Sequence, residues 1–232
     1  MNAGENSLPT GGFIFDMDGT LVDNMSFHEK TWLDLLAEQG VSVTVEEFQR
    51  RASGRTNPDI IREFLGDRMA DHEIGEWTER KEALYREAYR PHLRAIAGLH
   101  HFLEAAEAQR IPLGVATSGT PDNVAFVLDG LEIGPLFAAV VTADDVTRGK
   151  PDPEMFLAAA ARLGVDPSRS VVFEDSRAGV EAGRRAGMRV LVIATTPGIH
   201  ELEGTPGVIA VVDDYTELDA RALLAGGQVK GT

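Results

Sequence analysis

Two patterns of apolar spacing divide the chain. Gly12-Phe13-Ile14-Phe15 is a short apolar run and reads as a buried strand. From about residue 92 onward, runs of this kind alternate with stretches whose apolar side chains recur every three or four positions. Pro112–Ala116, Ala138–Val141, Val171–Phe173, Val190–Ile193 and Val208–Val211 read as strands. Between them, Leu99–Gln109, Asp122–Asp129, Glu154–Leu163 and Ala178–Ala186 read as helices. Continuous apolar strands separated by amphipathic helices predict an α/β protein with a doubly wound parallel sheet.

The segment from about 25 to 91 breaks this rhythm. Phe27, Trp32, Leu35 and Leu36 fall at helical spacing, as do Phe48 with Ala52, and Ile60, Ile61, Phe64 and Leu65. Trp77–Arg90 is densely charged and reads as a long surface helix. No convincing strand interrupts this region. The expected organisation is one strand, an all-helical insert, and then the remainder of the sheet.

Ligands of doubly wound sheets bind outside the carboxyl ends of the strands. Asp16 and Asp18 follow the first strand. Thr117 and Ser118 follow the second, Asp144, Asp145 and then Lys150 the third, and Glu174 and Asp175 the fourth. Four loops therefore bring acids, hydroxyls and one lysine to one edge. Asp16 and Asp18 are two residues apart, so they repel unless a cation lies close or one keeps its proton. With Glu174 and Asp175 added, the set is all carboxylate. It holds no His or Cys, which favours a hard ion such as Mg²⁺ over zinc. Thr120 and Pro121 form a helix start after the hydroxyls, and helix N-termini attract phosphate. Lys150 sits between Gly149 and Pro151, where it could neutralise a carboxylate or a phosphate oxygen.

Composition narrows the classes. The chain has no cysteine, which excludes disulfides, thiolate metal sites and Cys nucleophiles. A formal net charge of −15 makes nucleic acid a poor partner, because the mean field repels phosphate. Apolar runs such as Val190–Thr195 are too short to span a bilayer. The N-terminus, MNAGENSLPTGG, lacks a basic start and an apolar stretch, so it reads as a frayed tail rather than a signal peptide. The expected location is the cytoplasm. Lysine is scarce: Lys30, Lys81, Lys150 and Lys230 are the complete set, which leaves few candidates for a buried catalytic cation.

Asp16-Met17-Asp18-Gly19-Thr20, TSG at 117–119, GKPDPEMF at 149–156 and FEDSRAGVEAG at 173–183 occur in one order. These segments resemble the haloacid dehalogenase superfamily, in particular its β-phosphoglucomutase-like branch of phosphatases and mutases, and the resemblance covers nearly the whole chain. It implies a Rossmann-like core, residues 1–23 and 92–232, with an α-helical cap, residues 24–91. It further implies that Asp16 attacks phosphorus to form an aspartyl-phosphate, and that Asp18 protonates the leaving alkoxide and then activates water. Thr117 and Lys150, with Ser118 in the same hydroxyl loop, would hold the phosphoryl group. Mg²⁺ would bind Asp16, the Asp18 carbonyl and Asp175, with Glu174 alongside. Members that cleave carbon–halogen bonds need no proton for the leaving halide and lack the second acid, so Asp18 points to phosphate esters.

Within the cap, His28 matches a histidine found near the cap junction of sugar-phosphate members, and Ser53-Gly54-Arg55-Thr56-Asn57 matches the substrate-facing loop. The chain departs from the mutase pattern here. It has Ser53 in place of a lysine, Asn57 in place of an arginine, and Gly119-Thr120 in place of Ser-Lys. A mutase must hold a second phosphate, and those cations are missing, although Arg55 could substitute in part. The reading is therefore a Mg²⁺-dependent phosphatase acting on a small phosphorylated metabolite such as a sugar phosphate, with His28, Arg55 and Asn57 contacting the leaving group. A β-phosphoglucomutase-type mutase is the alternative, followed by a catalytically idle binding protein on the same fold.

Overall fold

The computed structural model describes residues 11–52 and 55–227; the N-terminal tail through residue 10, and Ser53 and Gly54 of the substrate-facing loop, lie outside the described residues. The described residues form six strands: β1 (Phe13–Phe15), β2 (Leu113–Ala116), β3 (Ala139–Val141), β4 (Val171–Glu174), β5 (Arg189–Ile193) and β6 (Val208–Val212). They form one parallel sheet in the order β3-β2-β1-β4-β5-β6. The order reverses between β1 and β4, and a crevice opens at such a switch point.

Both faces of the sheet are covered, which is why its strands read as unbroken apolar runs. Successive side chains alternate between the faces. Phe13 and Phe15 point into one cluster with Phe102, Leu113, Val115 and Phe173, while Ile14 points into another with Phe156, Val172 and Val190. The first cluster is closed by α5 (Leu99–Ala108), α6 (Pro121–Gly130) and α9 (Ala220–Leu224), and the second by α7 (Glu154–Leu163) and α8 (Arg177–Arg185). Phe15 stacks on Phe173 at 4.3 Å between centroids. Burying each such ring contributes about 1.5–3 kcal/mol, so the strand that carries Asp16 is among the most firmly held parts of the molecule.

Between β1 and α5 the described residues form no strand but four helices, α1 (Met25–Glu38), α2 (Val45–Ala52), α3 (Asn57–Leu65) and α4 (Asp71–Tyr89), with short 3₁₀ turns. They share their own cluster, built on Trp32, Leu36, Phe48, Ile61 and Leu65. The helix α4 also reaches the core, because Tyr85 and Tyr89 are buried in the first sheet cluster.

Element boundaries differ from the sequence reading where side chains cap the backbone. The Ser176 Oγ accepts the Gly179 N–H at 3.0 Å, so α8 starts at Arg177 and not at Ala178. The Glu73 carboxylate accepts the Ala70 N–H, which starts α4 well before Trp77. At five residues, α9 is too short to show periodicity. The charged helix is the main correction. It is not a surface element throughout: Lys81 and Glu82 are 2% and 5% exposed.

Candidate active site

The loop after β1 is shaped by its backbone. The Asp16 N–H donates to the Phe173 carbonyl, and the chain then turns as the Met17 carbonyl accepts from Leu21 N–H. Gly19 takes φ of +81°, and a Cβ there would lie 2.2 Å from the Asp175 Oδ2, so both the turn and the close approach require glycine. Asn24 completes the turn: its Oδ1 accepts the Gly19 N–H, and its Nδ2 donates to Asp18 Oδ1 at 2.6 Å.

Four acids and one lysine define the sheet edge. The Lys150 ammonium donates to Asp16 Oδ1 at 2.5 Å and to Glu174 Oε1 at 2.6 Å. The Glu174 Oε2 accepts the N–H groups of Asp175 and Ser176 and the Ser176 hydroxyl. Gly179 backs onto this carboxylate; a Cβ there would stand 1.7 Å from Oε1. The Asp175 Oδ2 accepts from the Thr196 hydroxyl at 2.6 Å. Thr117 is buried, and its Oγ1 accepts the Gly119 N–H; Ser118 is exposed to the cleft. Thr120 caps α6, accepting from Asn123 N–H, and Asp152 accepts from Glu154 N–H at the start of α7. The acids after β3 do not join this group, because Asp145 accepts from Thr142 and Arg162.

The electrostatics follow from crowding. Burial pushes the Asp16 carboxyl well above the ordinary carboxylate range, against the pull of Lys150, and Glu174 and Asp175 add to the rise. Burial and then Glu174 push Asp175 up to about 7. Burial alone would lower the Lys150 ammonium, but Asp16 and Glu174 outweigh it and hold it above the usual lysine value. Burial would also raise Asp18, yet His28 and Asn24 keep it below the ordinary range, and hence ionised.

The facing wall comes from the helical insert. The His28 Nε2 lies 3.7 Å from Asp18 Oδ1, and the ring stacks on Tyr85 at 3.6 Å between centroids. The Lys81 Nζ is 2.7 Å from His28 Nδ1. An ammonium only donates, so Nδ1 accepts and the ring proton sits on Nε2, toward Asp18. Lys81 also donates to Glu82 Oε1, which accepts a second bond from the Asn57 amide at 2.6 Å. The Glu82 Oε2 accepts from the Asn123 amide of α6, whose Oδ1 accepts from Arg86. Arg55 stands apart, largely exposed and paired with Glu63 at 3.0 Å.

Asp16, Asp18, Thr117, Ser118, Lys150, Glu174 and Asp175 from the sheet edge, and His28, Arg55 and Asn57 from the insert, all border one cavity of about 540 Å³. Sequence reasoning missed Asn24, Lys81, Glu82, Asn123 and Thr196. For Lys81 a signal existed: Ile74, Lys81, Tyr85 and Tyr89 recur on one face of α4 at intervals of seven, four and four.

Fitness for a metal ion can be tested on these donors. Among the described residues, no three His, Asp or Glu side chains converge as a ready-made cage. The Glu174 oxygens are taken by Lys150 and by N–H groups, and the Asp18 side chain faces Asn24 and His28. The sequence reading placed both among the metal residues. In the structure both side chains already have donors of their own. The Asp16 and Asp175 carboxylates remain, both buried and both raised in pKa, first by that burial and then by the neighbouring carboxylates. An oxygen-only, anionic, desolvated pair of this kind fits a hard divalent cation.

The carboxylates, the lysine and the hydroxyl loop thus meet at the switch point of a parallel sheet, where ligands of such folds bind. Residues 13–193 match the family model for haloacid dehalogenase-like hydrolases, and the chain belongs to that family. It is 32% identical over 205 residues to validoxylamine A 7'-phosphate phosphatase of Streptomyces hygroscopicus subsp. limoneus, covering 88% of this chain and 94% of that protein. It is 34% identical over 199 residues to hexitol phosphatase A of Escherichia coli K12, covering 83% and 88%. Among solved structures, a HAD hydrolase of family IA, variant 3, from Entamoeba histolytica superposes with a TM-score of 0.84 at 26% identity, covering 93% of this chain and 98% of that one. Among the described residues, no helix is long and apolar enough to cross a membrane.

Proposed function

We propose that the enzyme is a phosphatase that hydrolyses a small phosphorylated metabolite, with a sugar phosphate the favoured class, through an aspartyl-phosphate on Asp16. The observation that carries the reading is the pairing of Asp16 with Lys150 while Asp18, two residues on, turns toward His28. The two acids have different neighbours and so suit different roles. In the first half-reaction Asp18, ionised in the free enzyme, first takes the proton of the bound ester's phosphate monoanion; an Asp16 oxygen then attacks phosphorus, the ester P–O bond breaks, and Asp18 passes that proton to the leaving alkoxide. In the second, Asp18 takes a proton from water, the water oxygen attacks phosphorus, and the acyl-phosphate P–O bond breaks to release phosphate. Thr117, Ser118 and Lys150 hold the phosphoryl oxygens. Asp16, Asp175 and the Asp18 carbonyl would hold Mg²⁺, which supplies charge neutralisation for the transferring group.

Residues 24–91 serve as a cap over the core formed by 1–23 and 92–232. Asn57 and His28 face the leaving group. The mutase reading needs a cation for a second phosphate, and the insert offers Arg55 already paired with Glu63 and Asn57 already engaged with Glu82. A cytoplasmic location belongs to this proposal, because charged phosphate esters do not pass through hydrocarbon unaided. Turnover of a panel of phosphorylated metabolites, with Mg²⁺ and with chelator, tests the reading. Phosphate release that depends on Mg²⁺ supports it. Isomerisation without release would establish the mutase, and no turnover of any ester would establish an idle protein.

A further inference from the structure

The turn after β5 carries two threonines in succession, and their hydroxyls are spent on two different loops, one after β1 and one after β4. The Thr195 hydroxyl donates to the Gly19 carbonyl at 2.5 Å. The Thr196 hydroxyl donates to Asp175 Oδ2 at 2.6 Å. Between these two bonds the Asp175 carboxylate lies directly against Gly19, with no room for a side chain. The backbone that presents the hydroxyls is itself fixed. Ala194 N–H donates to Val212 of β6, Thr195 N–H to Ile193, and the Thr196 carbonyl accepts from Ile199 N–H. Thr196 also borders the cavity.

Each bond has a consequence for the oxygens. A carboxylate on a two-torsion side chain can present either oxygen in several directions, and a donor on one oxygen removes that freedom. With Oδ2 held by Thr196, Asp175 Oδ1 is the oxygen left to face a ligand. The donor is neutral, so it orients the carboxylate without cancelling the charge a cation needs. A lysine in the same place would orient it and compete with the ion. Lys150 instead spends its charge on Asp16 and Glu174.

We infer that Thr196 is a positioning residue for the divalent cation: its hydroxyl holds Asp175, on the loop after β4, in the orientation that binds the ion, and Thr195 anchors the facing loop after β1 at Gly19. The inference rests on the metal-dependent reading proposed above. Partners that orient ligands in this way are worth roughly 10–100-fold in metal affinity.

The test is titration calorimetry of Mg²⁺ into metal-free protein, without substrate, for wild type, Thr196→Val and Thr196→Ser, together with the melting temperature of each metal-free protein. Valine keeps the shape and removes the hydroxyl; serine keeps the hydroxyl. The expected result is a roughly 10–100-fold weaker Kd for Thr196→Val, a Kd near wild type for Thr196→Ser, and metal-free melting temperatures that agree within a few degrees. Equal Kd values for wild type and Thr196→Val would overturn the inference while leaving the metal reading intact. Equal weakening in both variants would show that the hydroxyl is not the cause. Metal-free Thr196→Val that melts far below wild type would assign the residue to the fold instead. Wild-type protein that takes up no Mg²⁺ would overturn the metal reading together with this one.

Discussion

At the sheet edge each acid is pinned by a neighbour, whereas on the insert wall one acid, Glu82, gathers three side chains around itself. Lys150 ties Asp16 to Glu174, Thr196 ties Asp175, and Asn24 ties Asp18. These loops leave adjacent parallel strands whose register is set by the sheet, so the spacing of the acids is inherited from a rigid frame. The insert has no such frame. Its polar wall depends on Glu82 receiving Asn57, Lys81 and Asn123 together. The difference separates two tasks. Attack on phosphorus needs fixed geometry, while recognition of a leaving group needs a wall that can be rewritten without disturbing the nucleophile.

The largest expected effect comes from the rigid side. Asp16→Asn removes the proposed nucleophile, and kcat should fall by roughly ten-thousand-fold or more. Far-ultraviolet circular dichroism should show the fold retained. Residual activity above about a tenth of wild type would remove Asp16 from the mechanism.

Next is Lys150→Met, which leaves Asp16, Glu174 and Asp175 buried without their cation. Breaking a buried pair by deleting one partner costs about 3–5 kcal/mol, to be read from denaturant unfolding of the metal-free protein. Unfolding that matches wild type would mean the edge does not depend on this neutralisation.

Glu82→Gln probes the other wall. Every partner of Glu82 is a donor, so the new amide nitrogen must face another donor. Stability should fall by about 1–3 kcal/mol. The value of kcat/KM for the best metabolite should fall by roughly tenfold more than that for acetyl phosphate, which has little leaving group for the wall to hold. Equal losses on both substrates would mean the two regions are not separable.

Arg55→Ala should matter least. The loop motif alone predicts a specificity contact worth about 1–3 kcal/mol. The structure places Arg55 largely exposed and paired with Glu63, and an exposed pair contributes about 0.2–1 kcal/mol. Substrate ranking measured by kcat/KM should therefore shift by no more than about fivefold. A larger shift would return Arg55 to the binding wall.

The same contrast governs how much could be read from the sequence. The sheet was legible because apolar runs such as Phe13–Phe15 and Val171–Phe173 are buried on both faces, and strand ends then point to Asp16, Asp18, Thr117, Lys150, Glu174 and Asp175. The insert was legible as helices but not as a polar wall. Lys81 and Glu82 look solvated in a helix rich in charge, and only the approach of α1, α3 and α6 buries them. Thr196 was missed for a related reason. Like Thr117 it follows a strand, but only the fold shows that Asp175 is its partner.

The central claim is that Asp16 carries the phosphoryl group, and it can be tested by trapping. The enzyme is mixed with its best substrate and Mg²⁺, quenched in acid during steady-state turnover, and treated with borohydride, which reduces an acyl-phosphate to the alcohol; the peptide spanning Asp16 is then sequenced by mass spectrometry. The account predicts homoserine at position 16, dependent on substrate and absent from a control quenched without it. Phosphate release with an unmodified residue 16, or with reduction at Asp18 or Asp175 instead, would contradict it.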